Sequence, residues 1–204
     1  MQITNSTIGG KVVIFESIID EIPGGLSLPV TDLDNTKVDA TLSVDKRWLK
    51  AGAPVYVDIA ARTATLCKSA LGITGGGATT PRVSKNNHFK VGEFLNDGVT
   101  SSEITAIDVT NAGYDIITVG EALLYAAGTK YGEGSVSGAS IALAFTPNGV
   151  TKDDVYIADG NADVAVVTMG TVREDALTYP INSLYAIALR GGTAGTGRSL
   201  ITLV

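Results

Sequence analysis

The sequence predicts an all-β protein, built as a β-sandwich or a barrel-like domain into which a small β module is inserted. Its 204 residues include 24 glycines and only 18% charged residues, a composition typical of short strands and tight turns. The densest β signal is the apolar run Asp163–Met169, and two glycine-rich breaks divide the chain. At this length a single core can bury about 70% of the unfolded chain's surface.

The segment Asp163–Leu177, DVAVVTMGTVREDAL, is the predicted centre of the fold. Side chains of its first half alternate between two faces that are both largely apolar, as in a strand that lies inside a sandwich or barrel. We expect the strand to break at Gly170. We also expect it to pack with the early runs KVVIF and PVYVDIA.

The two breaks set the predicted domain boundaries. Three glycines and a proline interrupt residues 69–87, and YGEGSVSGAS spans Tyr131–Ser140. Two breaks that lie close in space would delimit an insertion. Residues 76–139 are therefore predicted to form an inserted β module, and residues 1–75 plus 140–204 a discontinuous outer β domain.

The remaining elements follow from local pattern and turn chemistry. The predicted strands are Lys11–Ile19, Val38–Val44, the hairpin VYVDIA and TATLCK, and the late runs LYAIAL and SLITLV. An irregular loop is expected over Ile22–Pro29, and turns at Asn96–Gly98 and Asn111–Gly113. The best helical candidate is Glu121–Ala127, EALLYAA, confined by a glycine on either side.

Composition excludes several classes of function. One cysteine, Cys67, forms no internal disulfide, and one histidine, His88, leaves no cluster of ligands for zinc, iron or copper. We expect Cys67 to be a buried apolar side chain and His88 a surface or linker residue. The net charge of -6 disfavours direct nucleic-acid binding. Without a signal peptide or membrane span, we expect a soluble protein that does not act at a membrane.

Three segments imitate ligand-binding motifs. Gly191–Ser199, GGTAGTGRS, nearly has the spacing of a phosphate loop, but only LITLV follows, whereas the loop requires a helix. Thr31–Asn35 and Asp159–Asp163 resemble parts of calcium loops without the spaced glycine and terminal glutamate. We interpret all three as turns or loops, and predict no metal site and no cofactor.

A single histidine supports no Ser, His and Asp triad, so we expect no enzyme. Two carboxylates from distant segments would suffice for a glycan-directed hydrolase, which stays open as the less favoured alternative. Against it, only 6% of residues are aromatic, few for sugar platforms.

The motifs resemble a known family. LKAGAPVYVD (Leu49–Asp58), PNGVTKDDVYI (Pro147–Ile157) and DVAVVTMGTVREDAL resemble the pattern of tailed-phage head decoration proteins and related head-fibre or auxiliary capsid proteins. In that pattern a strand entry K-A-G-x-P-V comes early and an apolar strand ending in G-x-V-x-x-x-x-L comes late. The block from His88 to Gly128 also resembles a small β module found inside some of these proteins.

The resemblance implies a virion protein, made in the host cytoplasm, that binds the exterior of an assembled capsid. Its partner would be the major capsid protein, and it would act as a homo-oligomer such as a trimer. A head fibre or host-binding adhesin that uses residues 76–139 is the alternative.

Two segments are the expected capsid contacts. The polar N-terminal arm, through Gln2, Ile3, Thr4 and Asn5, would add a strand to an exposed capsid sheet edge. The second is the loop that carries Leu26 and Leu28. Its open alternative is that these two leucines simply cover the edge of the core.

Overall fold

The computed structural model describes residues 14–29, 33, 48–85, 87–138, 142–156, 161–191 and 200–204. The fold is 47% strand and 6% helix, which confirms the all-β prediction. The strands are β1 (Phe15–Leu28), β2 (Trp48–Leu49), β3 (Pro54–Asp58), β4 (Thr63–Leu66), β5 (Ser69–Ile73), β6 (Arg82–Val83), β7 (Phe94–Asn96), β8 (Ser101–Asp108), β9 (Asp115–Val119), β10 (Lys130–Gly134), β11 (Gly149–Thr151), β12 (Val155–Tyr156), β13 (Ala162–Val172) and β14 (Leu200–Leu203). A short 3-10 helix (Glu174–Ala176) and helix α1 (Ser183–Leu189) follow β13. The predicted strand Val38–Val44 lies outside the described residues.

The outer strands form a six-stranded sheet in the order β1-β4-β3-β11-β13-β14. Because β1 also pairs with β13, five of these strands form a closed circuit of pairings. The sheet therefore curls around its own core, which contains Leu28, Leu49, Leu66 and Val166. The small pair β2 and β12 lies beside it as a separate two-stranded sheet. The predicted hairpin VYVDIA and TATLCK is confirmed as β3 and β4.

Strands β5 to β10 form a closed six-stranded barrel in the order β10-β5-β6-β9-β8-β7. Phe89, Leu95, Ile117 and Tyr131 fill its interior. β5 precedes residue 76, the predicted start of the module, yet it pairs with β6 and β10. The glycine-rich segment after Ile73 is thus a turn within the barrel, and the barrel strands run from Ser69 to Gly134.

β13 is the central strand of the sheet, but it does not break at Gly170 as predicted. The strand continues to Val172, pairs with β1 along its length, and pairs with β14 beyond Met169. Gly170 serves close packing instead, because a Cβ added there would lie 2.4 Å from the carbonyl oxygen of Ser17. β11 lies between β3 and β13 in the sheet, and side chains of both strands share one core cluster, which contains Val55 and Val57 of β3 and Val164 and Val166 of β13.

β1 continues through the segment that was predicted to be an irregular loop. Gly24 and Gly25 have φ angles of 140° and 76°, and the backbone N–H of Gly25 donates to Asp163 Oδ1 at 2.5 Å. Between the pairs Ile22↔Val166 and Leu26↔Val164 the extra residues of β1 form a bulge. Gly24 and Gly25 do not end the strand, because β1 pairs with β13 both before and after them.

The predicted helix Glu121–Ala127 is wrong. The backbone N–H of Leu123 donates to Ala78 O at 3.0 Å, and that of Leu124 donates to Asp97 Oδ2 at 2.5 Å. These tertiary hydrogen bonds take the place of helical ones in a segment too short to be stable as an isolated helix.

The predicted strand LYAIAL is also wrong, because this segment forms most of α1. The side chain of Asn182 caps the helix by accepting from the backbone N–H of Tyr185 at 2.8 Å. Tyr185, Ala188 and Leu189 are buried at helical spacing. An apolar run this short fits both the helical and the strand periodicity. The sequence signal for the helix start was Asn182, two residues after Pro180.

Both predicted turns of the module are confirmed as loops between barrel strands. Asn96 Oδ1 accepts from the backbone N–H of Gly98 at 2.7 Å, and Asn111 Oδ1 accepts from that of Gly113 at 2.9 Å. Gly98 has a φ of 95°, which an L side chain rarely adopts. These turns could be predicted from the sequence because the asparagine side chain of each turn bonds a backbone N–H two residues further on.

We predict that Gly170→Ala destabilises the protein by about 1 to 3 kcal/mol, because the added methyl group meets the backbone of β1 and not a flexible side chain. Urea denaturation monitored by circular dichroism measures the change. Gly113→Ala is the matched control, since its added Cβ would meet its nearest atom at an ordinary 3.7 Å. Equal denaturation midpoints for the two variants would contradict the close packing of β1 and β13.

Candidate functional site

The sheet and the barrel meet at a polar seam that is centred on Tyr185 of α1. The buried Tyr185 hydroxyl donates to Lys68 O at 2.9 Å and accepts from the backbone N–H of Glu133 at 2.9 Å. Lys68 immediately precedes β5, and Glu133 lies in β10. One side chain therefore joins the helix of the outer sheet to β10 and to the residue that precedes β5.

Small residues on β10 allow α1 to approach this closely. A Cβ added at Gly132 would lie 2.3 Å from Asn182 Nδ2 and 3.2 Å from Cζ of Tyr185. Asn182 is the residue that caps α1, so the same glycine accommodates both the cap and the tyrosine ring. The seam thus requires glycine on the barrel wall.

Further polar contacts cross the seam. Lys130 of β10 pairs with Glu174 of the 3-10 helix. His88 Nε2 lies 3.1 Å from the Tyr179 hydroxyl, with both side chains buried. The prediction that His88 is a surface or linker residue is therefore wrong, because its ring packs where the barrel meets the sheet.

Cys67 lies beside this seam as a buried free thiol, as predicted. Burial raises the pKa of the Cys67 thiol well above its ordinary value, and the Glu133 carboxylate raises it further. The thiol therefore stays protonated at neutral pH, which disfavours a role as nucleophile.

The buried acid Asp115 has a structural role in the barrel. Its two carboxylate oxygens accept from Lys85 Nζ at 2.7 Å and from Asn87 Nδ2 at 2.9 Å. Within the described ranges, no group of three or more His, Cys, Asp or Glu side chains could hold a metal ion.

The predicted contact residues fall in different places. Gln2, Ile3, Thr4 and Asn5 lie outside the described residues. Leu26 is 3% exposed and Leu28 is 0% exposed, in the core of the sheet. Neither leucine is available to a partner, because the bulge at Gly24 and Gly25 keeps the strand paired over the core. The burial supports the alternative that this segment covers the core edge.

The best candidate binding surface is the open edge of β1, which the sequence did not predict. Residues Glu16 to Asp20 are all exposed, with Ile18 at 39% and Ile19 at 72%. One edge of this stretch pairs with β13. In the described part of the chain, the other edge of β1 pairs only at Ser27, with Thr63 of β4. The only sequence signal was the pair of acids that flanks Ile18 and Ile19.

A second exposed surface is the barrel loop cluster, formed by residues 74–81, 97–100 and 120–129. The hydrogen bonds that Leu123 and Leu124 make to Ala78 and Asp97 tie the three loops together. Val99 is 64% exposed and Leu124 is 62% exposed. Two large aliphatic side chains thus face solvent on loops that are held in place.

The structure describes only parts of the three motif-like segments. Of Thr31–Asn35, the structure describes Leu33, which is buried. Asp163, in the second calcium-like segment, uses its Oδ1 to accept a hydrogen bond from the backbone N–H of Gly25 in the bulge of β1. The glycine-rich segment after Gly191 lies outside the described residues up to Leu200.

Comparison of the chain with protein-family models, with curated proteins and with solved structures found no match. None of the described helices has the length and apolar character needed to cross a membrane.

We predict that Tyr185→Phe destabilises the protein by about 2 kcal/mol, because Lys68 O and the N–H of Glu133 lose their buried partner. Chemical denaturation gives the free energy of unfolding. Tyr56→Phe is the matched control, since Tyr56 is 38% exposed and its ring stacking on Phe145 does not use the hydroxyl. A loss no larger than that of the control would show that the hydroxyl does not hold the seam.

We predict that stability falls as the pH rises above about 9. Burial raises the pKa of Cys67 above 9.0 and that of Tyr185 above 10.0, so the unfolded chain loses these protons first. The contribution of each protonated group to the free energy of unfolding is complete below the pKa of that group in the unfolded chain. Above that pKa the contribution declines by up to about 1.4 kcal/mol per pH unit for each group. Urea midpoints at several pH values test this, and Cys67→Ala should flatten the decline. An unchanged slope would contradict the assignment to Cys67.

Proposed function

We propose that the chain is a structural virion protein that binds the outside of an assembled phage capsid and reinforces contacts between major capsid subunits. The observation that carries the proposal is the open, exposed edge of β1. An open edge can extend a neighbouring sheet through main-chain hydrogen bonds, which is a recurrent mode of protein recognition.

The order of the chain supports the same function. The predicted arm, with Gln2, Ile3, Thr4 and Asn5, precedes β1 in the sequence. An arm followed directly by an open strand edge would engage capsid subunits at adjoining points. The sequence motifs of β3, β11 and β13, which resemble decoration proteins, lie in the same sheet as this edge.

Repetition would compensate for the modest size of each contact. A strand edge of about five residues provides little area, and strand addition by itself is weak. On a shell of identical subunits, and in a homo-oligomer such as a trimer, such contacts act together and raise the effective affinity. The partner in this proposal is the major capsid protein, and the location is the capsid exterior.

A head fibre or host-binding adhesin is the second candidate function. The observation that favours it is the barrel loop cluster, where Val99 and Leu124 are exposed on hydrogen-bonded loops. The closed barrel has every strand paired on both sides, so its loops, and not a strand edge, would make the contact.

We predict that the full-length chain co-sediments with expanded capsids of the phage that encodes it. A chain without residues 1–7 should bind about tenfold more weakly, because it loses the arm but keeps β1. Equal binding by both chains would refute the role of the arm. Absence of the full-length chain from the capsid pellet would refute the proposed function.

A Val99→Asp and Leu124→Asp double variant is the control for the second candidate. In the decoration role it should co-sediment with capsids as the unmodified chain does. A loss of binding to host cells, with capsid binding unchanged, would support the adhesin function. A loss of capsid binding would show that the barrel loop cluster, and not the edge of β1, contacts the capsid.

A further inference from the structure

We infer that the open edge of β1 receives an extended segment of a partner protein that carries basic side chains around an apolar residue. The inference rests on the proposed function, since it gives the chemistry of the partner strand at the same edge. Four properties of residues 15–21 support it: an edge with no strand partner among the described residues, their charge, their exposed isoleucines and their bulges.

The charge of the edge is acidic. Glu16 and Asp20 flank the exposed pair Ile18 and Ile19, and no basic residue lies between Phe15 and Leu28. Glu21 is neutralised by Lys152, at 2.8 Å, but neither Glu16 nor Asp20 forms a salt bridge with any part of the chain that the structure describes. Asp20 accepts only a neutral hydrogen bond, from Thr168 Oγ1 at 3.0 Å.

The same charges disfavour a second copy of this chain as the occupant. In an antiparallel pairing centred on Ile18, Glu16 of one copy would lie opposite Asp20 of the other. In a parallel pairing in register, each acid would lie opposite itself. Like charges directly across a strand pair are destabilising, whereas opposite charges stabilise it.

The apolar residues define the centre of the contact. Ile19 is 72% exposed and Ile18 is 39% exposed, so both would lose accessible surface under an added strand. A partner segment that alternates basic and apolar residues would place basic side chains beside the acids on one face and an apolar side chain beside Ile19 on the other. Complementarity of this kind gives specificity as well as affinity.

The bulges of β1 restrict which segments fit. The pairing with β13 shifts register between Phe15 and Ser17, between Ile18 and Asp20, and between Asp20 and Glu21. Bulges increase the local twist and are a common protection of edge strands against flat, indiscriminate pairing. A short segment can follow such an edge, and a long flat strand cannot.

The test uses two blocked hexapeptides, one of alternating lysine and valine and one of alternating glutamate and valine. Each is titrated into the isotopically labelled full-length chain and followed by amide chemical shifts. The lysine peptide should shift the amides of Ser17 to Asp20, and the glutamate peptide should not. Shifts that are equal for both peptides, or that lie elsewhere, would overturn the inference.

Variants with reversed charge at the edge of β1 test whether the acids determine which peptide binds. Glu16→Lys combined with Asp20→Lys should weaken the lysine peptide about tenfold and allow the glutamate peptide to bind. Glu103→Lys combined with Glu121→Lys, at two exposed barrel positions, makes the same change of net charge and should alter neither. If the first variant fails to fold, Glu16→Gln with Asp20→Asn replaces it, and unchanged affinity then refutes the inference.

The same variants separate this inference from the proposed function. In capsid co-sedimentation, binding that persists in the β1 charge-reversal variant would leave the function standing and overturn the inference. If the chain prefers the lysine peptide but does not bind capsids, the inference about the partner strand stands and the proposed capsid function is refuted.

Discussion

The Tyr185 hydroxyl and its two backbone partners join the barrel to the outer sheet. Lys68 O and the N–H of Glu133 belong to adjacent segments of the barrel, and the helix that carries Tyr185 packs on the core of the outer sheet. A buried hydroxyl that both donates and accepts leaves neither partner unpaired. The position of the barrel relative to the sheet is thereby fixed by directional bonds and not by apolar contact alone.

This seam also determines which surfaces remain for binding. The barrel is closed, and its wall at β10 is covered by α1, so the barrel can offer only its loops. The sheet closes through β1 and β13, but the first residues of β1 extend past its only pairing with β4, at Ser27. Among the described residues, β4 begins opposite Ser27, so the preceding part of β1 has no strand partner on that side.

Local chemistry explains which predictions succeeded. The turns at Asn96 and Asn111 and the hairpin of β3 and β4 depend on residues near in sequence, so their signals are intact in the chain. The predictions for Glu121–Ala127 and LYAIAL both failed: the first segment is an irregular loop and the second is most of α1, because runs this short take the structure that their hydrogen-bond partners impose. The exposed edge was missed because its exposure depends on where β4 begins relative to β1.

Composition was sufficient to predict the all-β class, since the glycines, β-branched residues and sparse charges suit strands and turns in any arrangement. The sequence also determined the acidic character of Glu16 and Asp20. The tertiary structure alone decided that Gly24 and Gly25 form a bulge and that Leu26 and Leu28 face the core. The physical reason is that a strand is completed by partners distant in sequence, and those partners decide which backbone groups and side chains remain exposed.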